Sequence, residues 1–128
     1  MRLLLDAHTL IWAVDDPSRL GSQAAKELAN PANDLFLSAG TIWEIAIKVG
    51  LKKLTLSLPF DAWMKQAISD LGLVTLPITV DCAHAQSLLP NHHRDPFDRL
   101  LVAQAKTEDV VLVSTDVIFD QYGVQRLW

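Results

Sequence analysis

The sequence predicts an α/β fold in which helices cover a mostly parallel β-sheet. Three observations indicate this class. Short continuous apolar runs, at residues 3–5, 35–37 and 110–113, are typical of strands that are buried on both faces, as in parallel sheets. Segments with a helical spacing of apolar residues lie between these runs. Strands and helices therefore alternate along the chain, which favours a parallel sheet with right-handed crossovers.

Two strands and three helices are predicted for the first half of the chain. The leucine run at 3–5 is a buried strand that ends at Asp6. Residues 38–50 carry apolar side chains at positions i, i+3, i+4 and i+7, as an amphipathic helix does, and Gly50 is its predicted stop. The other predictions are a helix over 7–14, a helix that starts at 15–18 and buries Leu20, Ala24 and Leu28, a loop at 30–33 and a strand at 35–37.

The second half is predicted to supply three more strands. Pro96 suits a first helical position because it lacks the N–H group that has no partner there, so Asp95 becomes the N-cap and Asp98 falls at N3. Gly72 is predicted to terminate a helix that Asp61 begins. The remaining predictions are a strand at 73–76, a short helix from Thr79 or Asp81 toward Leu89, a helix over 96–106, a strand at 110–113, a short last helix and a strand at 124–127.

Composition restricts the functional classes. With 128 residues and 50% apolar residues, we expect one packed domain over 1–128. No apolar run reaches the roughly 18 residues of a membrane span, and no signal peptide is recognised, so we expect a cytoplasmic protein. A single cysteine, Cys82, excludes an internal disulfide. The net charge of -4 argues against a general nucleic-acid coat protein but is compatible with a nuclease that binds phosphate through a cation.

Four acidic residues are predicted to meet at one edge of the sheet. Ligands of open α/β sheets bind outside the carboxyl ends of the strands. Asp6 directly follows the first strand, Glu44 follows the second within the first helical turn, and Asp116 comes three residues after Val113. A crossover helix runs antiparallel to the strands and begins at the same edge, which adds Asp98. Four carboxylates from four segments should therefore converge.

Such a group of carboxylates indicates a divalent cation. Four of them within a few ångströms would raise one another's pKa values unless a cation neutralised their charge. Magnesium or manganese (Mg²⁺ or Mn²⁺) is the expected ion, because hard cations prefer oxygen ligands. The reaction that suits this arrangement is phosphodiester hydrolysis.

Each acid also has a purely structural interpretation. Glu44 could close a capping box with Thr41, Asp6 and Asp116 could cap the helices that follow them, and Asp98 could interact with a helix dipole. Taken singly, each acid favours the structural interpretation. Taken together they favour a site, because helix capping does not require all four acids to lie on one edge.

Other polar residues are candidates for accessory roles. His8 could touch substrate, and Thr115 could position water or phosphate. Arg94 and Arg99 could each hold an RNA phosphate. Arg99 could instead pair with Asp95, four residues earlier. Adjacent histidines on a loop point in different directions, so His92 and His93 are predicted to be exposed to solvent. The tryptophans are predicted to be core or interface residues: Trp12, Trp43 and Trp63.

Four blocks of the sequence, in order along essentially the whole chain, resemble the PIN-domain family, and in particular the VapC-like ribonuclease toxins of type II toxin–antitoxin systems. These are LLLDAH at 3–8, the stretch 38–48 around WEIA, HRDPFDRLL at 93–101 and VSTD at 113–116. By position, the resemblance implies that Asp6, Glu44, Asp98 and Asp116 form an acidic quartet that binds Mg²⁺ or Mn²⁺ and cleaves RNA. Asp95 matches a frequent additional acid of this subgroup.

The same resemblance implies an architecture and partners. The fold would be a three-layer α/β/α sandwich with a five-stranded sheet in the order 3-2-1-4-5. A homodimer and a small cognate antitoxin, VapB-like, that inhibits the enzyme are expected.

Two other functions remain open from the sequence. A receiver-like phosphoacceptor module is also a single α/β domain with aspartates at strand ends, but it needs an adjacent acidic pair after the first strand and a lysine after the last one. Here Ala7 follows the first acid, and the last strand leads into Leu127 and Trp128. A PIN-like domain that binds without catalysis is the second alternative.

Overall fold

The computed structural model describes residues 1–128 and contains one five-stranded sheet in the order β3-β2-β1-β4-β5, in which all neighbouring strands are parallel. This confirms the predicted α/β class and strand order. A receiver domain has the order 2-1-3-4-5, so the topology contradicts the receiver alternative. The strands are β1 (Arg2–Leu5), β2 (Asp34–Ser38), β3 (Val74–Leu76), β4 (Val111–Val113) and β5 (Arg126–Leu127).

Six α-helices and two 3-10 segments connect the strands. None of the helices combines the length and the apolar character that a bilayer crossing requires. The helices are α1 (Ala7–Asp15), α2 (Ser22–Leu28), α3 (Ala39–Gly50), α4 (Phe60–Leu71), α5 (Val80–Ser87) and α6 (Pro96–Glu108), and the 3-10 segments are Pro17–Arg19 and Val117–Tyr122.

The core lies on both faces of the central strand. Leu3, Leu4 and Leu5 have no exposed surface, and their side chains alternate between two apolar clusters. Leu3 and Leu5 pack with residues of α1 to α4, such as Leu10 and Trp63, whereas Leu4 packs with residues of α6 and of the second 3-10 segment. The sheet is therefore the middle of three layers, as the resemblance implied.

Several element boundaries differ from the predictions. The second helix begins at Ser22, because residues 17–19 form a 3-10 turn and Leu20 is extended. Asp61 does not cap α4: the helix starts one residue earlier behind Pro59, so Asp61 lies in its first turn. The last helix is a 3-10 segment, and β5 has two residues instead of four. Gly72 ends α4 as predicted, with a left-handed φ of 62°.

A close approach of two helices brings their first turns together at the carboxyl edge of the sheet. Gly40 lies in the first turn of α3, and a Cβ atom built there would overlap Leu100 Cδ2 of α6. A glycine at this position thus permits the contact between the two helices. This packing holds α3 beside the start of α6, which is where Glu44 and Asp98 lie.

Candidate functional site

Asp6 is fixed at the end of β1 by a helix cap and by the neighbouring strand. Its Oδ1 accepts a hydrogen bond from the Thr9 amide at 2.8 Å, which makes it the N-cap of α1. The Asp6 amide donates to the Val113 carbonyl of β4, and Thr9 Oγ1 donates to the same carbonyl at 2.7 Å. The predicted capping role is therefore present, and Oδ2 is left for other partners. Asp6 is 8% exposed.

Glu44 is buried on α3 and pairs with a lysine one turn later. The expected capping box with Thr41 is not formed, because the helix starts earlier: Ser38 is the N-cap and its Oγ accepts from the Gly40 amide. Glu44 consequently lies in the second turn. Its Oε2 is 2.6 Å from Lys48 Nζ. This hydrogen bond raises the pKa of Lys48 above its ordinary value, and the charges of Glu44, Asp95 and Asp98 act in the same direction.

Asp95 and Asp98 have the relationship predicted from the sequence. Asp95 Oδ1 accepts from the Phe97 amide at 2.8 Å, Pro96 occupies the first helical position, and Asp98 lies in the first turn of α6. Burial raises the pKa of Asp98 to about 6, with further contributions from the charges of Asp95, Glu44 and Asp116, while His93 acts in the opposite direction. A carboxyl group with this pKa marks a strongly acidic, partly dehydrated environment.

Asp116 follows β4 and uses both carboxylate oxygens. Oδ1 accepts from the Ile118 amide at 2.9 Å and caps the second 3-10 segment, so the predicted capping role is present here too. Oδ2 is 2.8 Å from His93 Nε2. The Asp116 amide in turn donates to Ser114 Oγ at 3.1 Å, which fixes the turn after the strand.

The prediction that His93 is exposed is wrong. Its side chain is only 7% exposed and packs against Phe119 and Tyr122. Its environment depends on a segment 29 positions later in the chain, which no local pattern reveals. The one feature of the sequence that could have indicated a place near the site is the position of His93, two residues before the helix cap Asp95. His92, in contrast, is exposed as predicted.

The structure brings the four predicted acids together in one cavity of about 250 Å³. Asp95, His8 and Thr115 line the same cavity, and Lys48 supplies its one lysine. Ligand atoms of His93, Asp98 and Asp116 lie within 4.8 Å of one another. The set is dominated by carboxylate oxygens, which are the ligands that hard divalent cations prefer. The carboxylates of this cavity could therefore hold a hard divalent cation.

Arg99 does not belong to this cavity. Its guanidinium group donates to the carbonyls of Pro90, Gln86 and Leu89 at 3.0 to 3.3 Å. These hydrogen bonds attach the first turn of α6 to the end of α5 and to the loop that follows it. Arg99 makes no ion pair with Asp95. The bonds to the carbonyls give Arg99 a structural role, while its predicted contact with an RNA phosphate stays a prediction. Arg94 is exposed beside the site.

The tryptophans divide into three environments. Trp63 is buried in the core and its indole N–H donates to Asp15 Oδ1 at 3.0 Å. Trp12 is half-buried next to Trp128. Trp43 is 64% exposed and meets the edge of Phe97 beside the acidic cavity. Only Trp43 therefore presents a large apolar surface near the site.

Comparisons with known proteins agree with this fold. The PIN domain family model matches residues 3–125. Ribonuclease VapC22 of Mycobacterium tuberculosis (strain ATCC 25618 / H37Rv) is 31% identical over 114 residues, which span 89% of this chain and 86% of the relative.

Two solved structures share the fold. VapBC2 from Rickettsia felis, in a structure bound to a DNA fragment from the promoter of VapBC2, matches with a TM-score of 0.74 at 15% identity. The match covers 99% of this chain and 98% of that chain. VapBC-5 from Mycobacterium tuberculosis, a member of the VapBC family of toxin-antitoxin systems, matches with a TM-score of 0.58 at 16% identity, over 94% and 89%. Since the family model covers nearly all of it, the chain belongs to the PIN domain family.

Proposed function

We propose that this protein is a metal-dependent endoribonuclease that hydrolyses RNA phosphodiester bonds and acts as the toxin of a toxin–antitoxin pair. The observation that carries the proposal is the convergence of four carboxylates, from four separate segments, in one cavity at the carboxyl edge of a parallel sheet. The similarity to a protein named ribonuclease VapC22 supports the substrate class.

In this proposal, Asp6, Glu44, Asp98 and Asp116 hold Mg²⁺ or Mn²⁺. The bound cation supplies Lewis-acid polarisation of a phosphoryl oxygen and neutralises developing negative charge. Asp98 must be ionised to contribute, and its raised pKa means that proton release accompanies metal binding at slightly acidic pH. Lys48 adds one fixed positive charge to the cavity wall.

The accessory residues have more limited parts. Thr115 and His8 are exposed at the cavity and are placed to contact a bound RNA strand. Asp95 lines the cavity as well, but its Oδ1 is used as the cap of α6. We therefore assign Asp95 the role of orienting Asp98 by capping α6. Its charge also helps to raise the pKa of Asp98.

An apolar stripe on α3 supports an inhibitory protein partner. Trp43 and Ile47 of α3 and Leu51, the C-cap residue directly after it, are spaced four residues apart and follow one side of the helix, where Trp43 and Leu51 are 64% and 60% exposed. The stripe begins beside the acidic cavity. We assign it to a small antitoxin whose apolar segment covers the helix and whose basic residues reach the carboxylates.

A second apolar surface supports a homodimer. It surrounds α5, where Val80 is 85% exposed, Leu88 72% and Ile78 51%. We assign this surface to the contact between two copies of the chain.

Two substitutions distinguish the surface on α3 from the surface around α5. Leu51→Asp should release the enzyme from its antitoxin and leave the dimer intact, whereas Val80→Asp should yield monomers that the antitoxin still inhibits. The reverse pattern in light scattering and inhibition assays would reject both assignments.

The activity itself is tested with purified protein, free of partner, and labelled single-stranded RNA. Cleavage should require Mg²⁺ or Mn²⁺ and stop with EDTA. Asp98→Asn should abolish it, while Asp61→Asn, which removes the same charge from an exposed position on α4, should have no effect. Cleavage that persists in EDTA or in Asp98→Asn contradicts the metal mechanism. RNA binding without any cleavage under all these conditions would favour the catalytically silent alternative.

A further inference from the structure

A buried imidazole lies behind the acidic cavity and touches one of its carboxylates. His93 Nε2 is 2.8 Å from Asp116 Oδ2, and Nδ1 is 3.0 Å from the Tyr122 hydroxyl. The ring stacks on Tyr122 at an interplanar angle of 7° and packs against Phe119. Both ring nitrogens are thus engaged, and the surrounding aromatic side chains leave the ring little freedom to turn.

The hydrogen bonds around Tyr122 determine which nitrogen carries the proton. The Tyr122 hydroxyl accepts a hydrogen bond from the His93 backbone amide at 2.8 Å. Its own proton then has one acceptor in the protein, which is Nδ1 of the same histidine. Since Nδ1 accepts a hydrogen bond, a neutral His93 carries its proton on Nε2. The Nε2–H group then donates a hydrogen bond to the Asp116 carboxylate. The protein therefore contains a directed chain of hydrogen bonds from Tyr122 through His93 to Asp116.

This chain fixes the orientation of Asp116. One of its oxygens is held by the Ile118 amide and the other by His93 Nε2, so the plane of the carboxylate is determined from both sides. Asp116 and Asp98 line the same cavity, and their ligand atoms lie within 4.8 Å of each other. Outer partners of this kind orient ligands and typically change metal affinity by about 10- to 100-fold when removed.

We propose that His93 is a positioning residue: held by Tyr122, it donates from Nε2 to Asp116 and sets the geometry in which Asp116 binds the catalytic cation. The inference rests on the proposed function for the role of the cation. The competing arrangement has His93 itself as a metal ligand through Nε2. In that arrangement Nδ1 would carry the proton, and the Tyr122 hydroxyl would accept two hydrogen bonds and donate none within the protein.

The tautomer can be measured without any substitution. Long-range ¹⁵N–¹H spectra of the metal-free protein, recorded where the spectra themselves show a neutral His93 ring, should show protonated Nε2 and unprotonated Nδ1. Tyr122→Phe removes the donor to Nδ1 but leaves the Nε2–Asp116 hydrogen bond, so His93 in this variant should still carry its proton on Nε2. A wild-type His93 protonated on Nδ1 would overturn the proposal.

Two amide substitutions test the consequence for metal binding. The side-chain nitrogen of glutamine reaches the place of Nε2, whereas that of asparagine reaches only the place of Nδ1. His93→Gln should therefore bind Mn²⁺ within about threefold of wild type, and His93→Asn should bind it about 10- to 100-fold more weakly, as measured by calorimetry. Unfolding curves of both variants establish that they are folded.

The outcomes separate this proposal from the proposed function. Equal Mn²⁺ affinity in wild type and His93→Asn would remove any positioning role. Equal loss in both variants would identify His93 as a direct ligand, which also contradicts the proposal. If the tautomer and the order of affinities are as expected but the wild type cleaves no RNA, the positioning role stands and the ribonuclease assignment fails.

Discussion

Lys48 Nζ lies 2.6 Å from Glu44 Oε2, and this pair forms part of the wall of a cavity that otherwise collects negative charge. Glu44 is 6% exposed, so its carboxylate has little access to water as an alternative partner. Lys48 consequently neutralises part of the repulsion among the acids when no metal is bound. It also competes for Glu44 with any cation that enters the cavity.

Replacing Lys48 should have opposite effects on metal-free stability and on metal affinity. In EDTA, Lys48→Met should lower the free energy of unfolding by about 1 kcal/mol, because Glu44 loses its partner. Mn²⁺ affinity should rise, by up to about thirtyfold, since a unit positive charge about 4 Å from a divalent cation contributes about 2 kcal/mol of repulsion in a water-like medium. Urea unfolding and calorimetry measure the two quantities. Lys53→Met is the control for an exposed lysine, and weaker Mn²⁺ binding by Lys48→Met would contradict the competition.

The raised pKa of Asp98 predicts a pH-dependent effect on stability in the absence of metal. With a folded pKa of about 6 and an ordinary value of 3.8, the folded protein binds more protons than the unfolded chain between these values. The contribution of Asp98 to stability is therefore present below pH 3.8 and is lost as the pH rises through about 6. In EDTA, Asp98→Asn should be more stable than wild type at neutral pH.

This advantage of Asp98→Asn should shrink as the pH is lowered toward the ordinary aspartate pKa. Thermal unfolding of both proteins across this range, with Asp61→Asn as the exposed control, provides the comparison. A difference between Asp98→Asn and wild type that does not depend on pH would show that packing, and not ionisation, is responsible.

Substitutions of Asp95 separate capping from charge. Asparagine is as good an N-cap as aspartate, so Asp95→Asn should keep the stability of wild type within a few tenths of a kcal/mol, whereas Asp95→Ala should lose about 0.5 to 2 kcal/mol. If Asp95 acts by aiming Asp98, RNA cleavage should survive in the asparagine variant and fall in the alanine variant. Loss of cleavage in Asp95→Asn without loss of stability would assign Asp95 a direct part in the reaction.

Arg94 and Arg99 should behave differently although only five positions separate them. Arg99 supports three backbone carbonyls, so Arg99→Gln should lower the free energy of unfolding by about 1 to 3 kcal/mol and leave the KM for RNA nearly unchanged at low temperature. Arg94 is exposed beside the site, so Arg94→Gln should raise the KM and leave stability unchanged. Measurement of KM at two salt concentrations detects the loss of a phosphate contact, and equal stability losses in both variants would contradict the distinction.

Features of the fold and site could be predicted from the sequence where they depend on the order of elements or on residues close together in the chain. The convergence of Asp6, Asp98 and Asp116 could be predicted because the edge rule for parallel sheets needs only the order of strands and helices. The Asp95 cap could be predicted because it depends on neighbours one to three residues away. Their catalytic roles are still predictions, which the variants above test.

The failures involve contacts that no local pattern encodes. The burial of His93 depends on Tyr122, and Arg99 donates to carbonyls at the end of α5 and in the following loop instead of pairing with Asp95. The late start of α2 results from the extended Leu20 behind a 3-10 turn, and the Ser38 cap of α3 leaves Thr41 inside the helix, so the capping box expected for Glu44 does not form. Each of these requires knowledge of tertiary packing or of exact helix starts.

The central position of β1 has a consequence for when the protein becomes active during its synthesis. Asp6 is synthesised before the Val113 residue whose carbonyl holds its turn and before Asp116, both of which lie far along the chain from it. A nascent chain on the ribosome therefore carries an unassembled and inactive site until β4 and the segment after it have emerged and paired with β1. Under the proposed function, the part of the chain that precedes β4 is not toxic by itself while the protein is being made.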